Sequence, residues 1–208
     1  MFNFPSLNSI ALMLPAIILG LTFHEFAHGW AADRLGDRTA RQMGRLTVNP
    51  AAHVDPVGLL LLFLAGFGWA KPVPVDPNQF TGDRRRGMLL VSLAGPATNL
   101  LLAIVSALVL GLLDNLRLPY FREIMFYMIQ INVVLGIFNL IPIPPLDGSK
   151  ILAALLPGRQ NWLYQLETYG AILLIVLVFT GAIRYIFKIF VYPIVTALIS
   201  LALFLSSL

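Results

Sequence analysis

Hydrophobic residues in this chain run in long unbroken blocks, with polar positions gathered between them. Five blocks, at about 10–33, 87–113, 122–141, 165–182 and 185–206, are apolar over most of their length. Each is near the ~20 residues a helix needs to cross a hydrocarbon core of ~30 Å. The pattern predicts an all-α polytopic membrane protein with about five transmembrane helices. Between the first two blocks, residues 58–69 are apolar but too short to cross, which predicts a re-entrant or interfacial segment. Gly66, Gly68, Pro72, Pro74 and Pro77 then forbid a regular helix through 66–80. Alternation in Ala70-Lys71-Pro72-Val73-Pro74-Val75, together with Arg45-Leu46-Thr47-Val48, predicts short strands. They would be edge strands, because proline cannot donate to a ladder.

Composition agrees with the pattern: of 208 residues, 58% are hydrophobic and only 12% charged, the balance of an integral membrane protein. A single membrane-embedded domain over 1–208 is expected, with a catalytic core at about 10–156 and a C-terminal helical hairpin at about 163–206. Residues 1–9 carry no basic stretch, so the first span is expected to stay in the mature protein. Cysteine is absent, which excludes disulfides and thiolate sites and leaves nitrogen and oxygen ligands for any metal. The net charge of +4 does not point to nucleic acid, since the basic residues sit between apolar runs and read as topology signals. Eight of them lie between spans one and two (Arg34, Arg38, Arg41, Arg45, Lys71, Arg84, Arg85, Arg86) and two, Lys150 and Arg159, between three and four. The opposite side receives Arg117, Arg122, Arg184 and Lys188. Ten against four places the first loop in the cytoplasm, with the N-terminus outside and, for five spans, the C-terminus inside.

Candidate chemistry changes the picture most at Phe23-His24-Glu25-Phe26-Ala27-His28, inside an otherwise apolar stretch. Residues four apart share a helix face, so His24 and His28 can offer ring nitrogens to one ion while Glu25 leans towards the same water. This is the layout of a zinc hydrolase. Zinc lowers the pKa of its water from about 15.7 to about 7, and a carboxylate beside it can take the proton. Ionisable groups in lipid cost about 2.5–3.5 kcal/mol each, so three on adjacent turns imply a compensating partner. One Zn²⁺ per chain is expected, and a catalytic zinc needs a third protein ligand. Elimination leaves Asp147, beside the helix break at Pro142, Pro144 and Pro145, ahead of the only other histidine, His53. The alternative for Asp147 is an N-cap of a short helix over 148–156. With the N-terminus outside, His24 lies ~21 Å below the start of span one, and the proline break arrives at similar depth.

These residues resemble the site-2 proteases, membrane-embedded zinc metalloproteases, over most of 20–152. His24-Glu25-Phe26-Ala27-His28 resembles the family's zinc motif, and residues 139–148 resemble its N-x-x-P-x-P-x-L-D-G motif. Residues 92–99 resemble the glycine-containing segment of the intervening core span, and 49–58 the stretch before the re-entrant region in smaller microbial members. The resemblance implies His24, His28 and Asp147 as zinc ligands and Glu25 as catalytic base. It implies a substrate-holding or oxyanion role for Asn139, whose amide can donate. Asn99, with Ala94, Gly95 and Ala97, is expected mainly to let span two approach the zinc helix. His53 is expected to be structural, with a gate or weak extra ligand as the alternative. No PDZ-like insertion is visible between spans one and two.

The leading expectation is therefore an intramembrane endopeptidase of regulated intramembrane proteolysis, multi-pass in a prokaryotic cell membrane, acting on transmembrane protein substrates within the bilayer. A metal transporter or channel using the same histidines is the alternative, though such a path calls for polar positions on several spans. Oligomeric state, substrate and trigger have no signature in the chain.

Overall fold

The computed structural model describes residues 6–65, 68–157 and 161–207, without the side chains at 62–65, 161–165, 167 and 171. The first apolar block forms α1 (Leu7–Arg34), begun by the Ser6 hydroxyl, which accepts from the Ser9 backbone N–H at 3.1 Å. The connection that follows holds α2 (Thr39–Gln42) and α3 (Pro56–Ala65), with 3₁₀ turns at Pro50–Ala52 and Pro77–Gln79. The second block becomes α4 (Arg84–Leu113), capped by Asp83, and the third becomes α5 (Phe121–Asn139). After the prolines come α6 (Asp147–Leu155) and α7 (Asn161–Phe179). The chain closes with α8 (Ala182–Ile186), a π-helical turn (Phe187–Val191) and α9 (Tyr192–Ser206), which run on as one element.

Among the described residues, four helices are long and apolar enough to cross a membrane: 7–34, 84–116, 121–139 and 182–206. The expected span at 165–182 is a shorter apolar helix. Gly170 abuts the Pro144 carbonyl, and Leu174 and Leu177 pack on the cluster of Ile141, Leu146 and Ile183, so this part of α7 lies at the Asp147 end of the bundle. The last element starts there too, at Ile183, and climbs away from it. Val191 packs on Ala103 and Val133, Ala202 on Leu110 and Ile129, and Leu205 lies against Gly111. The C-terminal end of α9 therefore lies beside the α4–α5 turn, where Arg122 pairs with Asp114. Four described helices qualify as spans where five were expected, and the end of α9 lies at the same end of the bundle as the start of α1.

No strand occurs among the described residues; the expected edge strands reduce to an isolated antiparallel bridge, Val54 to Ala70. The backbone from 71 to 76 is irregular, and α3 ends at Ala65, before Gly66, which lies outside the described residues. At the centre stands α4, against which α1, α5, α6 and α9 all pack. Phe80 from the α3–α4 connection is lodged with Ala32 and Val91, fastening that connection to α1 and α4.

Candidate metal centre

Helix α5 ends at Asn139 because Pro142, Pro144 and Pro145 cannot continue the ladder. The turn that follows delivers Asp147 as the first residue of α6, with Leu146 at the cap position. Asp147 is thus not the cap; its carboxylate is turned inward. Gly148 makes that turn possible, since a Cβ there would sit 2.3 Å from the carbonyl oxygens of Leu140 and Ile141.

The turn and α1 meet as the sequence requires. Asp147 Oδ2 lies 3.1 Å from His24 Nε2 and 3.1 Å from His28 Nε2, and the two Nε2 atoms are 3.0 Å apart. All three side chains are buried. His28 Nδ1 donates to the Val91 carbonyl oxygen at 2.7 Å, which leaves the Nε2 lone pair bare. His24 Nδ1 faces Asn99 Oδ1 at 2.6 Å, while the Asn99 amide nitrogen donates to the Gly20 carbonyl and to Asn132 Oδ1, each at 3.0 Å. That donor pattern fixes the orientation of the Asn99 amide, so His24 also carries its proton on Nδ1. Two lone pairs and a carboxylate oxygen then point at one another, and a single proton can bridge only one pair of them.

A divalent cation satisfies all three at once. Tetrahedral zinc with bonds of about 2.0–2.1 Å separates its ligands by about 3.3 Å, close to what is observed. Space beside the nitrogens exists because residue 95 lacks a side chain: a Cβ there would lie 2.6 Å from His28 Nε2 and from Cε1 of both imidazoles. The residues therefore fit a metal ion, with Asn99 and the Val91 carbonyl as outer partners that orient the imidazoles.

Glu25, half-buried on the next position of α1, accepts the Val73 backbone N–H through Oε2 at 2.8 Å. Its neighbours in the 71–76 segment are held as firmly. Arg45 donates to the carbonyls of Lys71 (2.8 Å) and Pro72 (3.1 Å), and buried Asp37 accepts the Asp76 N–H at 2.7 Å. The Asp76 carboxylate in turn accepts from the Asn78 N–H and from Gln79, which hold its pKa below the usual carboxylate range.

Two expected participants stand apart. His53 is buried and donates through Nε2 to the Thr47 carbonyl at 2.7 Å, outside the three-donor cluster. Asn139 turns its amide back onto its own helix, donating to the Leu135 carbonyl at 2.9 Å. Asn99, expected mainly to permit packing, is instead bonded to a cluster histidine. Sequence reasoning missed Asn132, Asp37 and the Val73 N–H. Only Asn132 left a signal, as an amide inside an apolar span.

Peptidase family M50 matches residues 12–118 and 114–183. The chain belongs to that family. YwhC of Bacillus subtilis is 39% identical over 193 residues, covering 89% of this chain and 88% of its own. Rip2 of Mycolicibacterium smegmatis is 33% identical over 184 residues, covering 83% and 68%. MJ0392 of Methanocaldococcus jannaschii is 25% identical over 158 residues, covering 75% of this chain and 38% of its own. The names of all three carry the words zinc metalloprotease. No solved structure gives a significant match. This M50 member is accordingly a membrane protein and a zinc metalloprotease, as the site-2 protease resemblance implied.

Proposed function

We propose that this M50 protein is an intramembrane endopeptidase in which His24, His28 and Asp147 hold zinc and Glu25 is the general base. The observation that carries this reading is the convergence of three proton-free donors, all buried, with Glu25 on the adjacent position of the same helix. Zinc supplies the Lewis acidity that makes water a nucleophile at neutral pH. Glu25 takes the proton of the attacking water on a carboxylate oxygen and carries it to the leaving amine. The Val73 N–H on Oε2 orients that carboxylate. Asn139 has one amide hydrogen committed to the Leu135 carbonyl and a second with which to hold a substrate carbonyl. His53 secures the Thr47 turn.

The substrates are transmembrane segments of other proteins, unwound enough to present an extended backbone beside residues 71–76. Helix α3, ten apolar residues long, dips into the near leaflet beside that segment. The site lies in the inner half of a prokaryotic cell membrane, with the N-terminus outside. The catalytic unit ends near α6, and α7 to α9 close the bundle at its side.

The test is a comparison of purified wild type with Glu25→Gln on a panel of single-span substrates, with metal content measured in both. Zinc is expected in both proteins, with cleavage lowered about 10²–10⁴-fold in the variant, the usual contribution of a general base. Cleavage by Glu25→Gln at the wild-type rate would remove the base assignment, and metal flux that persists in it would favour transport.

A further inference from the structure

We propose that Asn132 is a positioning residue for the metal centre, acting through Asn99 to fix which nitrogen of His24 faces the ion. The inference rests on the zinc-site reading above and extends it to a residue without contact to any ligand. Asn132 on α5 is inaccessible to solvent, as is Asn99 on α4. The Met128 carbonyl can only accept, so the Asn132 amide nitrogen must face it, and does so at 2.9 Å. That leaves Asn132 Oδ1 to accept from the Asn99 amide nitrogen at 3.0 Å. The same nitrogen spends its second hydrogen on the Gly20 carbonyl, so Asn99 presents Oδ1 to His24 and demands a proton on Nδ1. Reversing any one amide would set donor against donor or acceptor against acceptor at side chains that solvent does not reach. Three helices thus agree on one polarity, and the imidazole is left with its Nε2 lone pair towards Asp147. Gly20 lets the chain of bonds form, since a Cβ at that position would lie 3.0 Å from Asn132 Oδ1.

Zinc affinity of the full chain in detergent, measured by competition with a chelator, tests this without recourse to proteolysis. Loss of an outer partner of a metal-bound histidine typically lowers affinity about 10–100-fold, which is the fall expected for Asn99→Leu. Asn132→Leu is expected to give a smaller fall, on the order of ten-fold, because Gly20 still holds Asn99. The double variant should be no weaker than Asn99→Leu alone, since Asn132 acts only through Asn99. Asn132→Ser, whose hydroxyl can donate to the Met128 carbonyl and still accept from Asn99, should recover part of the affinity. Equal affinity in folded Asn132→Leu and wild type, or losses that add in the double variant, would overturn the proposal. Should Asn132→Leu not fold, ¹⁵N-histidine spectra of zinc-loaded wild type decide: Nδ1 protonated and Nε2 metal-bound at His24 is expected, and the reverse refutes it. His24→Ala separates the two levels, because a variant that binds zinc like wild type refutes the metal site itself.

Discussion

The His24, His28 and Asp147 cluster has room beside its nitrogens only because residue 95 has no side chain. A Cβ there would approach His28 Nε2 and the Cε1 atoms of both histidines to 2.6 Å, and α4 cannot retreat because Val91 and Asn99 on the same helix hold the two rings. Gly95→Ala should therefore push the imidazoles out of register and lower both bound zinc and cleavage, the latter by about 100-fold, as misplacements near 1 Å do. Metal analysis after dialysis checks it, with Gly82→Ala, whose Cβ would meet nothing within 4 Å, as the control. The histidine pair was legible in the sequence because four-residue spacing is a property of one helix. Asp147 was legible because a proline break and a lone carboxylate coincide. The polar chain behind His24 was not, since its members lie on three helices and only packing reveals that Asn132 meets Asn99.

At residues 71–76 the expected element did not form. Alternation and prolines predicted extended edge strands there, yet of its N–H groups only that of Lys71 bonds to backbone, at the His53 carbonyl (2.8 Å), and the partners that follow are side chains. Arg45 takes the carbonyls of Lys71 and Pro72, Glu25 takes the Val73 N–H, Asp37 takes the Asp76 N–H, and the prolines have none to give. Periodicity is silent about such partners. The arrangement sharpens a test of substrate docking, because among the described residues the Val75 N–H has no protein acceptor. Val75→Pro removes a donor that only a substrate would use, so cleavage should fall about three- to ten-fold, the worth of one backbone hydrogen bond, with zinc retained. Val73→Pro also frees Glu25 and should fall further. Unchanged cleavage by Val75→Pro, assayed beside metal content, would refute docking along this segment.

Across the whole molecule the packing and the charges lead to one topology. The packing of α9 along α4 puts the start of α1 and the end of α9 at the same end of the bundle. Arg184 and Lys188 then belong to the opposite side, with Lys150 and the eight basic residues of the α1–α4 connection. Setting aside Arg159, which lies outside the described residues, the basic count becomes eleven against two, Arg117 and Arg122 being the two. That asymmetry is steeper than the ten against four drawn from five spans, and the positive-inside rule predicts from it a cytoplasmic Asp147 end. The absence of cysteine allows a clean check with single introduced thiols. Ser6→Cys and Ser207→Cys should both react with a membrane-impermeant maleimide in intact spheroplasts, whereas Lys71→Cys and Arg85→Cys should react only after permeabilisation. Protection of Ser207→Cys alongside Lys71→Cys would mean that α7 crosses after all and that the last helix runs the other way. The contacts of Ala202 with Leu110 and of Leu205 with Gly111 are the ground for expecting Ser207→Cys to react alongside Ser6→Cys instead.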